Sequence, residues 1–443
     1  MRWVLLCSIF AVLLNAQLTD KQVHSLPPLP AIPAAGGTFV EPTFGTTLMR
    51  LTDANTCGGG SGYNNYANWQ AFNLDTTMVA FRCGEYDVYV ADLDPEKFAV
   101  SNVRRLVVFP SQMEREPFHW STVNRNYLFA TGPHSLVTKI RRLDVATGAI
   151  TDLFDVAKDH SGYWIKELGV TDGDNRFSFT IVNTKTGAEG YGAVQIEPRK
   201  YLVWEPVPTV AACTKAGGVG GAGLSRSGNY FGAGCGDNSS GNYFITDLST
   251  GQTVFPKANQ GTHPASGFEW WVEDGDSQGP QSMYRRPYAK PDNFTTLLNL
   301  DGVYGDQHHS MLLDDASWVL HSQSRLHDPV THRYEQEIML AKTDGSGDVW
   351  RLAHHRTIDP SYRAIPHASI SRNGRFVIFN SNWGGSGRVD AFIIKTGLRD
   401  APAPPSPDPP TITGTITVSG ALQVCTSSGK CSTANVTGAV VVK

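Results

Sequence analysis

The chain has almost no window in which apolar residues recur with the period of a helix, although it is 443 residues long. This absence argues against helical bundles and against folds that alternate helices with strands. Long runs of lysine or arginine are missing too, and the formal net charge is −4. The charge pattern therefore argues against nucleic acid as the main partner.

Several short catalytic and metal-binding motifs are also missing. The chain contains no H-E-x-x-H helix and no C-x-x-C pair. The usual signatures of zincins, zinc knuckles and thioredoxin-type redox sites are thus absent. The segment GVGGAG at residues 218–223 matches G-x-G-x-x-G, but a strand pattern follows it, so its context does not support a dinucleotide site.

The first residues, MRWVLLCSIFAVLLNAQ, combine one arginine with an apolar stretch that is too short to span a bilayer. Ala16 is a small residue at a plausible cleavage point, so residues 1–16 are predicted to be a signal peptide. No later stretch is long and apolar enough to cross a membrane. We expect a secreted protein, extracellular or periplasmic, without a membrane span.

Six cysteines remain after the predicted signal, an even number in a chain expected in an oxidising compartment. Their proximity in sequence predicts three local bridges. The alternative is that they are free, buried thiols. The predicted pairs are Cys57 with Cys83, Cys213 with Cys235, and Cys425 with Cys431.

A divergent repeat organises the chain, which is rich in turn residues, with 44 Gly and 26 Pro. The segment GDQHHSMLLDDASWVLH at residues 305–321 aligns with AIPHASISRNGRFVIFN at residues 364–380, with His309 opposite His367. Related strand, turn and strand patterns recur near residues 69, 116, 167, 222 and 267. Four-stranded units repeating in this way are typical of β-propeller blades.

About seven such units fit between residues 40 and 398, so the predicted fold class is all-β, a seven-bladed β-propeller. The last unit lacks a fourth strand, and the N-terminal strand within FGTTLMRLTDA, residues 44–54, can fill that gap and close the ring. Three flanking segments are predicted besides the signal peptide and the propeller. They are a proline-rich lead-in at 17–39, a proline-rich linker at 399–411, and a disulfide-stapled β-hairpin module at 412–443.

The segment PHASISRNGRFVIFNSNWGG, residues 366–385, resembles the TolB-type propeller repeat. In overall layout the chain is most similar to the oligogalacturonate lyases, propellers that act on uronic-acid oligomers. In those enzymes histidines and a glutamine hold a metal that neutralises the uronate carboxylate and so promotes β-elimination. The resemblance implies that Gln307, His309 and His367 are metal ligands here.

Innermost strands of a propeller line its central channel. Only one of His308 and His309 can face the channel, because side chains alternate along a strand, and the alignment favours His309. His119 and Trp69 take related positions in other repeats, so the predicted channel mouth holds His119, His309, His367 and Trp69. Neutral imidazoles from separate strands can bind a divalent metal such as Mn or Zn. Alternatively, these histidines only cap strand starts through backbone hydrogen bonds.

Uronate processing also needs proton-transfer groups and a cation over the carboxylate. Two loops and one aromatic pair supply candidates, each of which is alternatively an ordinary surface or turn residue. The predicted catalytic residues are His119, His355, Arg356, Tyr362 and Arg363. The predicted substrate-binding residues are Trp69, Arg325 and Trp271.

Two functions follow from these features. The first is a secreted, carbohydrate-active propeller, most concretely a monomeric polysaccharide lyase that cleaves acidic poly- or oligosaccharides by metal-assisted β-elimination. The second is a non-catalytic propeller of the cell envelope that binds a glycan or a protein. A fold alone does not separate them, because function resides in the site.

Overall fold

The computed structural model describes residues 19–84, 87–106, 118–131, 137–206, 219–235, 242–256, 263–275, 281–301, 307–323, 330–358, 361–398, 417–425 and 431–439. Its strands are numbered in chain order. Strands β1 (Thr38–Val40) and β2 (Thr47–Arg50) come first. Blade one consists of β3 (Gly62–Tyr63), β4 (Met78–Cys83), β5 (Asp87–Asp94) and β6 (Ala99–Arg105). Blade two consists of β7 (Phe118–Trp120), β8 (Tyr127–Ala130), β9 (Lys139–Asp144) and β10 (Ile150–Asp155).

A short 3-10 helix, Val156–Lys158, precedes blade three. Blade three consists of β11 (Tyr163–Val170), β12 (Arg176–Asn183), β13 (Glu189–Gln195) and β14 (Lys200–Glu205). Blade four consists of β15 (Val219–Leu224), β16 (Tyr230–Cys235), β17 (Asn242–Asp247) and β18 (Thr253–Val254). Blade five consists of β19 (Ala265–Ser266), β20 (Trp270–Gly275), β21 (Ser282–Pro287) and β22 (Thr295–Asn299).

Blade six consists of β23 (Gln307–Ser310), β24 (Trp318–Gln323), β25 (Glu337–Lys342) and β26 (Val349–His354). Blade seven begins with β27 (Ser369–Ile370), β28 (Phe376–Ser381) and β29 (Asp390–Lys395). Strands β30 (Thr417–Cys425) and β31 (Cys431–Ala439) form a separate antiparallel hairpin. The chain divides into two compact units, Met1–Leu398 and Arg399–Lys443. In the part of the chain described, no helix has the length and apolar character needed to cross a bilayer.

The N-terminal strands complete blade seven, which has the order β1-β2-β29-β28-β27. Strand β2 pairs antiparallel with β29, in a register that sets Leu48 opposite Ile394. The first strands of the chain are therefore hydrogen-bonded to its last blade. The prediction of a seven-bladed propeller that is closed by an N-terminal strand is confirmed.

The central strands of a blade are buried on both faces because a neighbouring blade covers each of them. Strand β28 shows the pattern, since all six of its residues are buried. Val377 and Phe379 pack with residues of blade six, whereas Phe376 and Ile378 pack with residues of blade one. The period of two in this strand divides its side chains between two inter-blade cores.

One of the three predicted disulfides is present among the described side chains. Cys57, in the connection from β2 to blade one, is bonded to Cys83 at the end of β4. Cys213 lies outside the described residues, and so do the side chains of Cys235, Cys425 and Cys431.

The proline-rich lead-in lies along blades six and seven as an extended strap, here residues 19–36. Prolines have no N–H, so the strap offers mainly carbonyl acceptors. Buried or partly buried donors of the propeller use four of them, at distances of 2.7, 2.7, 3.0 and 2.8 Å. The pairs are Arg351 with Gln22, Arg356 with Pro27, Trp383 with Pro30, and Arg50 with Pro33.

We predict that ring closure depends on the apolar side chains of β2. Leu48 is fully buried in the core between blades six and seven, whereas Val40 of β1 is 60% exposed. Leu48→Ala should lower the free energy of unfolding by about 2–5 kcal/mol, because it leaves a cavity in that core. Val40→Ala should change it by less than about 0.5 kcal/mol. Urea unfolding measures both; equal effects would contradict this account of closure.

Candidate functional site

A cavity of about 430 Å³ follows the central axis. The inner strands run in the same direction, so their starts lie at one end of the channel and the turns that follow them at the other. We call these the histidine end and the arginine end. Lining residues come from all seven blades and include Trp69, His119, Glu167, Asp172, Gly223, Arg226, Tyr243, His263, Trp271, Glu273, Met311 and Arg372.

Three histidine rings meet at the histidine end. The ring of His308 lies 4.4 Å from that of His367 and 4.3 Å from that of His263 between centroids. Tyr66 packs against both His308 and His367, at 5.1 and 5.0 Å. Blades five, six and seven each contribute one imidazole to this cluster.

The expectation that His309 rather than His308 meets His367 is wrong. Ser310 pairs with Leu320, and Ser369 pairs with Ile378, so the two serines are equivalent. His308 therefore corresponds to His367. The turn of blade six is one residue longer than that of blade seven, and the ungapped alignment slipped by one position, which exchanges the two faces of a strand.

His309 points to the other face of β23, where its Nε2 lies 3.3 Å from Nδ1 of His321. Burial lowers the pKa of His309 to about 4. Gln307, His309 and His367 thus do not converge on one point. Within the described ranges, no group of three or more His, Cys, Asp or Glu side chains is arranged to hold a metal ion. The predicted ligand set does not fit a metal in this arrangement, and metal binding stays a prediction.

Two residues of the histidine cluster have left-handed backbones, with φ of 55° for His263 and 40° for His367. Such values cost free energy in residues other than glycine and concentrate at functional sites. Burial and the nearby His263 lower the pKa of His367 to about 3. Burial, followed by the neighbouring imidazoles, holds the pKa of His308 well below its usual value. Both rings are therefore neutral at neutral pH.

His119 lines the cavity as predicted, at the start of blade two. Its Nε2 lies 2.7 Å from the carbonyl oxygen of Leu168. A carbonyl only accepts, so Nε2 carries the proton and Nδ1 of the neutral ring keeps a lone pair. Burial lowers the pKa of His119 to about 4. Trp69, also predicted, lines the cavity beside it, with ring centroids 6.3 Å apart.

An ionic cluster crosses the axis at the arginine end. The carboxylate of Asp172 accepts hydrogen bonds from Arg372 at 2.9 and 3.0 Å and from Arg226 at 2.9 Å. Arg226 also donates to the carbonyls of Met311 and Leu313, both at 2.8 Å. Burial alone would raise the pKa of Asp172, but the two arginines bring it below its usual value. The cluster joins blades three, four, six and seven.

The other predicted site residues have varied positions. Tyr362 lines the cavity, is 55% exposed, and has its ring 4.9 Å from that of His367. The guanidinium of Arg363 lies over Tyr63, 5.5 Å from the ring centroid. Trp271 is buried and lines the cavity. Arg325 lies outside the described residues.

His355 and Arg356, predicted to be catalytic, do not line the cavity. His355 is buried, and its Nδ1 accepts from the backbone N–H of Thr357 at 3.1 Å. Arg356 donates to the strap carbonyl of Pro27. In this arrangement both side chains contact other parts of the propeller or the strap and do not reach the cavity.

Sequence reasoning missed His263 and the ionic cluster. The signal for His263 was present, because THPAS at residues 262–266 resembles PHAS of blade seven at residues 366–369. The cluster residues Asp172, Arg226 and Arg372 each follow a Ser or Thr in the turn after an inner strand. Their shared turn position indicated proximity, but not which charges pair across the channel.

No protein-family model matches the chain, and no curated protein matches it significantly. Among solved structures, an oligogalacturonate lyase in complex with manganese has a TM-score of 0.62 at 13% identity, covering 84% of this chain and 99% of that one. An oligogalacturonate lyase from Vibrio parahaemolyticus has a TM-score of 0.60 at 13% identity, covering 82% and 98%. TolB from Acinetobacter baumannii has a TM-score of 0.36 at 12% identity, covering 74% and 78%. The resemblance to the oligogalacturonate lyases is confirmed at the level of fold.

The buried histidines predict a loss of stability in mild acid. Burial holds the pKa values of His119 and His309 at about 4 and those of His355 and His367 at about 3. A histidine in the unfolded chain has a pKa of about 6.5. Between that pH and the lower pKa values of the folded protein, the unfolded state therefore binds more protons than the folded state. The free energy of unfolding therefore has its full value, as far as these histidines are concerned, above about pH 6.5. It falls as the pH falls, by up to about 1.4 kcal/mol per pH unit for each histidine.

Urea unfolding of the His355→Gln variant at pH 7, 6 and 5 tests this linkage. The slope of unfolding free energy against pH should be shallower than in the original protein by up to about 1.4 kcal/mol per pH unit. The His332→Gln variant is the control, because that side chain is 36% exposed. An unchanged slope in His355→Gln would show that His355 is not held neutral by burial.

Proposed function

We propose that the protein is a secreted, carbohydrate-active propeller that binds uronic-acid-containing glycans in its channel and cleaves them by β-elimination. The observation that carries the proposal is the axial cavity, in which the rings of Trp69 and Tyr362 and the neutral imidazole of His119 line one pocket. Sugar-binding sites combine aromatic faces with a few placed polar groups. The fold shared with two oligogalacturonate lyases supports the choice of reaction.

His119 is the proposed base. In β-elimination a base removes the proton from the carbon beside the uronate carboxylate. The electrons of that C–H bond form a carbon–carbon double bond, and the bond from the next carbon to the glycosidic oxygen breaks. Nδ1 of His119 has the lone pair to accept the proton, because Nε2 carries the ring proton and donates it to the carbonyl oxygen of Leu168. A bound carboxylate would raise the pKa of this imidazole toward a useful range.

The departing glycosidic oxygen keeps the electron pair of the broken bond and needs a proton. Tyr362 is the proposed donor, since it lines the cavity, is 55% exposed, and stands against His367. Trp69 is the proposed stacking surface for a sugar ring next to His119. Gln307, His309 and Arg363 have no assigned step, since none of them lines the cavity.

A divalent ion, Mn or Zn, remains part of the proposal because one neighbouring lyase is a manganese complex. No step is assigned to it, because the predicted ligands do not converge. Metal analysis of purified protein, compared with the His309→Ala and His367→Ala variants, tests the point. Stoichiometric metal that is lost in His367→Ala would support the site, and its absence from the original protein would remove the ion from the mechanism.

We predict activity on a panel of uronate polymers and oligomers, read as ultraviolet absorbance of the unsaturated product, with and without added Mn²⁺. His119→Ala should lower the rate by roughly 10²–10⁴-fold, the usual contribution of a general base. Trp69→Ala should mainly raise KM. His332→Ala should leave both constants unchanged, because this half-exposed side chain does not line the cavity.

A non-catalytic glycan-binding propeller is the second candidate. The observation that favours it is that the predicted metal ligands do not converge among the described residues. Calorimetry with the same polymers separates the two functions. Binding that weakens in Trp69→Ala, without product from any polymer, would establish binding and overturn the lyase.

A further inference from the structure

The axial cavity extends outward between blades four and five. Most of its wall is formed by inner strands and the segments that flank them, but here the third strand of blade four contributes Tyr243 and the second strand of blade five contributes Trp271 and Glu273. Ser266 lines the cavity beside them. We call this extension the side slot.

Two paired glycines open the side slot. Gly223 of β15 and Gly232 of β16 are cross-strand partners. A Cβ at residue 232 would overlap the hydroxyl of Tyr243, so glycine lets this ring lie across β16. A Cβ at residue 223 would meet no heavy atom within 4 Å, which leaves space toward the axis. The pair therefore connects the channel with Tyr243.

The charge in the side slot is already balanced. Glu273 accepts hydrogen bonds from the indole Nε1 of Trp271 at 2.9 Å and from Nε of Arg286. Arg286 also donates to the carbonyl of Pro291 at 3.0 Å. An anionic ligand would meet the Glu273 carboxylate, and a cationic one would compete with a fully buried guanidinium. The slot therefore favours an uncharged ligand.

Tyr243 provides a hydroxyl in the same slot. No hydrogen bond to it is found from any residue that the structure describes. Burial, followed by the charge of Glu273, raises the pKa of this phenol above its usual value, so it stays a neutral donor. Its ring lies 6.1 Å from that of Trp271, which gives the slot aromatic walls. Aromatic walls with one donor and one shared carboxylate match the hydroxyl-bearing ring of a sugar.

We propose that the side slot binds an uncharged pyranose ring. The inference rests on the proposed function in one respect, that the rest of the glycan occupies the channel. The ligand would then be a mixed glycan in which a neutral sugar is close to a uronate. A glycan made only of uronates would leave the slot without its ligand.

Saturation-transfer NMR with the methyl pyranosides of glucose, galactose, mannose, xylose and rhamnose tests the slot directly. The original protein should bind at least one of them. Tyr243→Phe should weaken that binding roughly two- to tenfold, as expected for one lost hydrogen bond. Gly223→Val should weaken it about tenfold or more by filling the space. Tyr191→Phe is the matched control, because that hydroxyl contacts Glu205 and does not line the cavity.

Thermal unfolding first confirms that the Gly223→Val variant is folded. If that variant is not folded, the Tyr243→Phe variant alone provides the test. Binding of no neutral pyranoside by the original protein, or equal binding by the slot variants, would overturn the inference. Failure of the lyase proposal looks different. No uronate polymer would then give product, while the slot variants would still weaken binding of the neutral sugar.

Discussion

The packing of blade faces against each other is the constraint on which the rest of the structure depends. A sheet of four strands has two faces, and each must be covered by a neighbouring sheet. In β28 the two sets of alternate side chains enter two different inter-blade cores. The ring must therefore close, and the pairing of β2 with β29 closes it. Closure also creates the axial cavity, so the site is a product of the same constraint.

The fold could be predicted because its signals are local and repeated. Strand, turn and strand patterns recur along the chain, and the missing fourth strand of the last repeat pointed to the N-terminus. The site was predicted less well. Trp69, His119 and Tyr362 line the cavity, but a turn longer by one residue hid the equivalence of His308 and His367. A change of one residue is small in an alignment, yet it exchanges the faces of a strand.

Partners across the channel were beyond sequence reasoning. Arg372 and Asp172 are 200 residues apart in the chain, and no local pattern links them. The same holds for Arg356. Its loop predicted a catalytic role, but its guanidinium donates a hydrogen bond to the strap carbonyl of Pro27. An arginine in a loop is equally suited to bind a ligand carboxylate and to bind a backbone carbonyl. Only the tertiary structure distinguishes these roles.

Blade seven combines strands that precede blade one with strands that follow blade six, and this arrangement affects biosynthesis. Strand β2 precedes blades one to six in the chain, and its partner β29 follows them. Contacts between segments so distant in the chain form slowly, because a long loop must close first. Until then the apolar side chains of β2 have no sheet to join. A nascent chain would have to keep this segment from aggregating until nearly the whole propeller has been synthesised.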